Sequence, residues 1–153
     1  IFHVGEFLLR TASLLFRSSE NGSSSVDLTA VERRDVTVAA LSEAASKVGA
    51  VFVEAVESAV AEVQRRDAFL ASGAGTQDMT RQDIEVVGRM LGDSSLEAVQ
   101  SGEAVDAVHV IVWLVISRAG LLDALVANSL MGGSSAARAV FMALLIAARD
   151  GPA

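Results

Sequence analysis

The sequence predicts an all-α fold, a single-domain bundle of about five to seven helices around a central hydrophobic helix at about residues 103–117. Three observations carry that expectation. Residues 104–116 read AVDAVHVIVWLVI, where only Asp106 and His109 interrupt the apolar run, and a helix apolar on every side has to be wrapped by others. Residues 29–70 hold apolar side chains at sustained helical spacing. The single proline, Pro152, stands at the far end of the chain, so no interior position is closed to a helix by a missing N–H.

The N-terminal stretch, residues 1–17, is predicted to be an amphipathic helix, with Phe2, Phe7, Leu8, Leu14, Leu15 and Phe16 set against Glu6, Arg10, Thr11 and Arg17. So short a helix is marginal alone and must dock on the main body or on a partner. Docking on the core is favoured over a membrane-surface role, which two arginines support only weakly. Residues 18–28 are polar, contain Gly and Ser, and lack periodicity, so they read as a flexible loop. The helical body is expected over residues 29–149, and the whole chain, residues 1–153, as one domain large enough to carry its own core.

Thr29 and Glu32 have the spacing of a capping box. A long helix is predicted from there to about residue 70, its buried stripe formed by Val38, Leu41, Ala45, Val48, Phe52, Val56, Ala59, Val63 and Leu70. Gly49 beside that stripe marks either a close helix contact or a break into two shorter helices. Residues 71–77, ASGAGTQ, form the second predicted loop. Gly73 and Gly75 do not read as a phosphate loop, because they follow a helix and no suitable lysine comes after them. Thr80 with Asp83, and Ser94 with Glu97, repeat the helix-start spacing, predicting short helices over 81–91 and 95–100 closed by Gly92 and Gly102.

The central run holds Val108, Val110, Ile111, Val112, Val115 and Ile116, which favour strands on intrinsic preference. Length and flanks outweigh that preference. The run exceeds ordinary strand length and leads through Ser117 and Arg118 into Leu121, Leu122, Leu125 and Val126 at helical spacing. A buried strand would also need a partner strand, and no other segment reads as one. Gly120 allows a bend, residues 121–130 continue as helix to Gly132 and Gly133, and Ser134 or Ser135 caps a last helix over 136–149.

The formal charge is −7 with scattered arginines, which argues against binding a phosphate backbone, so nucleic acid is not an expected partner. The chain has no cysteine, which excludes disulfide and thiolate chemistry without assigning a compartment. It opens on Ile1 rather than Met, which is compatible with a processed product or a fragment from which a targeting segment is already missing. Asp106, His109, Arg118 and Asp123 break up the most apolar region, so no transmembrane span is expected and the chain reads as soluble or peripheral to a membrane.

Candidate chemistry is sparse. Asp106 and His109, three apart, share a helix face that Arg118 could approach only if the neighbouring geometry allows. A histidine beside a carboxylate could serve as a base or hold a metal or tetrapyrrole, which makes His109 a weak cofactor candidate. One His and one Asp leave such a site incomplete, so these three residues read as a buried polar group, with no catalytic, metal or cofactor site expected. Glu43, Glu54, Glu57 and Glu62 read as a solvated face, because no Glu-x-x-His pairs accompany them. Trp113 reads as core.

The apolar excess is the stronger clue. Residues 104–116 and 136–148 are apolar nearly all round, more than a small monomer easily hides, and this implies an interface. The expected function is therefore a non-catalytic helical interaction or structural subunit of a multiprotein complex, in contact with other protein subunits of its own or another kind and with peripheral membrane contact open to it. The alternatives are a membrane-active protein that shelters a hydrophobic hairpin, or a small-ligand or pigment-binding domain with His109 as axial ligand.

Overall fold

Glycines and capping residues divide the chain into short rods. The computed structural model describes residues 2–20, 29–72, 79–93, 95–118 and 120–151. Among these residues eight helices form and no strand: α1 (Phe2–Glu20), α2 (Ala30–Val48), α3 (Ala50–Ala71), α4 (Met79–Leu91), α5 (Leu96–Val99), α6 (Ala104–Ser117), α7 (Leu121–Met131) and α8 (Ser135–Asp150). The all-α bundle is as expected, with a count slightly above five to seven. Gly49 supplies one extra helix by adopting an extended conformation between α2 and α3, while its carbonyl still accepts from Phe52 and Val53.

The valine-rich segment is helical and central. Every residue from 108 to 117 is buried, and α6 touches each of the other seven helices. Full burial of a Val, Leu or Ile side chain is worth roughly 1.5–3 kcal/mol, so enclosure on all sides outweighs the weak strand preference of β-branched residues. Around it, α1 packs chiefly on α2 and α8, α2 on α3, and α7 on α8. Phe7 of α1 stacks on Phe52 of α3 with ring centroids 4.8 Å apart.

The Thr29 hydroxyl accepts the Glu32 N–H at 3.1 Å, which starts α2 as the capping spacing predicts. The spacing at Ser94 predicts the third such start; Ser94 lies outside the described residues, and Ser95 caps α5 by accepting the N–H of Ala98. Ser134 precedes α8 but makes no side-chain cap. Another residue tightens that corner. Arg138, 1% exposed, donates to the Asn128 side-chain oxygen at 2.7 Å and to the Gly132 carbonyl, so a guanidinium covers the C-terminal end of α7.

Two boundaries differ from expectation. α1 continues through residues 18–20, since no glycine or proline occurs between Arg17 and Glu20. The remainder of the first predicted loop, residues 21–28, lies outside the described residues, as do residues 73–77 of the second. α4 begins at Met79, which puts Thr80 and Asp83 inside the helix rather than at its cap.

Candidate functional site

The side chains that could do chemistry lie where the C-terminal end of α6 meets α3 and α4. Asp83 lies three and four residues before Val86 and Val87 on α4, which puts all three on the buried side. Only 2% exposed, its carboxylate accepts the Trp113 indole N–H at 2.9 Å and an Arg118 N–H at 2.6 Å. Both acceptor oxygens are therefore occupied, one by a guanidinium, as a buried charge requires.

Arg66 of α3 continues this seam. Its guanidinium carbon lies 5.7 Å from the Trp113 ring centroid, one Nη donates to the Ser117 carbonyl at 3.2 Å, and the other faces Asp67 at 3.5 Å. Burial draws Arg66 below the ordinary arginine value, against the opposing pull of Asp67. Its Nε is buried without a hydrogen-bond partner. Asp67 also accepts from Arg34 of α2 at 2.7 Å, so the seam ties α2, α3, α4 and α6 together.

Four residues before Arg66, Glu62 receives two bonds from Arg89 of α4, at 3.0 and 2.7 Å, and one from Arg65 at 3.3 Å. The Arg89 hydrogen bonds, with the charges of Arg89 and Arg65, hold its carboxyl below the ordinary value despite the opposing effect of burial. Glu62 thus departs from the solvated-face expectation, whereas Glu43, Glu54 and Glu57 are exposed as expected. Its register explains this: Glu62 lies three and seven residues after the buried Ala59 and Ala55.

A cavity of about 170 Å³ opens between α3 and α4. Trp113, Phe69 and Val86 supply its apolar wall, and three carboxylates, Glu62, Asp83 and Glu85, stand among three arginines, Arg65, Arg66 and Arg89. Such a cavity can bind, but acid–base catalysis has little to work with. The three carboxylates that line it, Glu62, Asp83 and Glu85, each accept from an arginine, and no Ser, Thr, Lys or His lines the wall among the described residues.

Asp106, His109 and Arg118 are not brought together. His109 is buried with Nδ1 2.8 Å from the carbonyl of Val105, one turn back on its own helix. It lines neither this cavity nor the smaller one near Arg118. Asp106 stands in the first turn of α6, where a carboxylate complements the helix dipole. Arg118 turns to Asp83 instead. Among the described residues no group of three or more His, Asp or Glu is placed to hold a metal ion.

The other conspicuous surface is apolar. On α7, Leu122 is 75% exposed and Leu130 61%, with Val126 half exposed between them at i, i+4 and i+8. On the adjoining α8, Val140 is 67% exposed, and Leu144 follows one turn later. No protein-family model, curated protein or solved structure matches the chain.

Proposed function

We propose that the chain is a non-catalytic helical interaction subunit that assembles with other protein subunits through the α7–α8 face. The observation that carries this reading is the pair of exposed apolar stripes, Leu122–Val126–Leu130 and Val140–Leu144, on two helices packed against each other. The enclosed core absorbs all of α6 beyond its first turn and leaves these residues over. Apolar side chains aligned on neighbouring helices form the kind of surface that helix-on-helix docking buries.

A second copy of the chain is the occupant this face suits. The chain carries −7 overall, yet among the exposed residues of α7 and α8 only Asp123 is charged. Two such faces can meet without apposing the acidic surfaces, and a two-fold arrangement would bury each copy's stripes on the other's. Sedimentation velocity across a concentration series tests this. The expected result is reversible association that Leu122→Glu with Leu130→Glu abolishes while the helical circular dichroism is kept. A wild-type chain that stays monomeric at every concentration and binds no apolar dye would overturn the reading.

The pigment-binding alternative gains no support, since His109 is buried and lines neither cavity. No described helix is long and apolar enough to cross a membrane, and α6, at 14 residues, spans about 21 Å against the roughly 30 Å of a bilayer's hydrocarbon core.

A further inference from the structure

The cavity of about 170 Å³ between α3 and α4 is apolar at its base and ionic around it. Trp113 and Val86, both buried, form the base, and the half-buried Phe69 stands nearer solvent. The Trp113 indole N–H is already engaged by Asp83 at 2.9 Å, and the Arg66 guanidinium lies 5.7 Å from the ring centroid. What this tryptophan offers a ligand is therefore hydrocarbon, on a ring held in place by two polar neighbours.

The charges around the cavity cancel. Three carboxylates and three arginines line it, and each of these six groups has an opposite charge within 3.5 Å. An ion entering the cavity would shed water and find every counter-charge already paired, which disfavours charged ligands. Size narrows the choice further. The volume is well below the roughly 300–1,000 Å³ of pockets that take drug-sized molecules. It is close to the ~150 Å³ in which an apolar cavity holds one benzene.

We propose that this cavity binds an uncharged molecule built on a single aromatic ring. Two aromatic side chains in the wall favour a flat ring over a saturated one of the same size, because ring pairs gain from edge and face contacts beyond the area they bury. Among the described residues no side chain of α7 or α8 lines the cavity, so the site is independent of the α7–α8 face.

Phenol, which is uncharged near neutral pH, tests this on the intact chain, read by the fluorescence of the sole tryptophan and by thermal unfolding. A saturable change in Trp113 emission and a rise in melting temperature are expected. Cyclohexanol should bind roughly threefold or more weakly than phenol, and benzoate roughly tenfold or more weakly. Val86→Phe, which fills the cavity, should weaken phenol binding at least tenfold, while Leu9→Ser, at an exposed apolar position of α1, should leave it unchanged. Should Val86→Phe fail to fold, Phe69→Ser carries the test with the same expected loss, since Phe69 is only half-buried and its removal takes away one aromatic wall. No saturable binding of phenol, equally tight binding of cyclohexanol or benzoate, or an affinity unchanged in Phe69→Ser would overturn the proposal.

Discussion

Removing the Asp83 carboxylate should cost more than any other single polar change near α6. Asp83 is 2% exposed and accepts from both Trp113 and Arg118, so Asp83→Ala leaves a buried indole N–H without an acceptor and a largely buried guanidinium without its counter-charge. Breaking a buried pair from one side costs about 3–5 kcal/mol. At roughly 2–4 °C per kcal/mol for a chain of this size, the melting temperature should fall by roughly 6–20 °C. Asp83→Asn keeps an oxygen for the indole and loses only the charge, so about 1–3 kcal/mol is expected. Urea unfolding followed by far-ultraviolet circular dichroism and by the fluorescence of the sole tryptophan measures both. Adding Arg118→Met to Asp83→Ala should recover part of the loss, because the stranded charge is then gone. An Asp83→Ala chain within about 1 kcal/mol of the wild type would refute the reasoning, since that is the range of unremarkable substitutions.

Glu62 gives a pH signature. Its carboxyl lies below the ordinary value of 4.5 because Arg89 favours the ionised form. Its contribution is therefore complete above 4.5, where the unfolded chain is ionised too, and is lost as pH falls through the lower folded-state value. The stability difference between wild type and Glu62→Gln, followed by denaturation over a pH series, should be largest near neutrality and shrink on acidification. Gly133 tests the α7–α8 corner. At φ +69°, an added Cβ would lie 2.5 Å from the Gln100 carbonyl oxygen, whereas Gly92, at φ +72°, faces open space. Gly92→Ala should cost about 1 kcal/mol and Gly133→Ala more than about 2 kcal/mol, which thermal unfolding of the two variants side by side would show.

The helices were legible because apolar periodicity and glycine are local signals, and α6 was legible because no strand stood ready to pair with Val108–Val115. The seam of ion pairs was not. Asp83 has the spacing of a helix cap from Thr80, and a short pattern cannot distinguish that role from a buried acceptor in register with Val86 and Val87. Glu62 likewise follows Ala55 and Ala59 in register, a signal obscured by three genuinely exposed glutamates on the same stretch. Arg118 could have approached Asp106 and His109, its neighbours in sequence, only if the geometry allowed; its partner is 35 residues away, and only packing reveals such pairs. The surplus of apolar residues was read from composition. Its place is only partly the expected one: α8 keeps exposed Val140 and Leu144 as foreseen, but α6 is wholly absorbed beyond its first turn and α7 carries the larger stripe.

Amide hydrogen exchange at rising protein concentration tests the whole account most directly. The amides of α6 should exchange most slowly at every concentration, opening only with global unfolding, while those of α7 and α8 gain protection as copies meet. Fast exchange in α6, or protection of α7 and α8 that is indifferent to concentration, would contradict it.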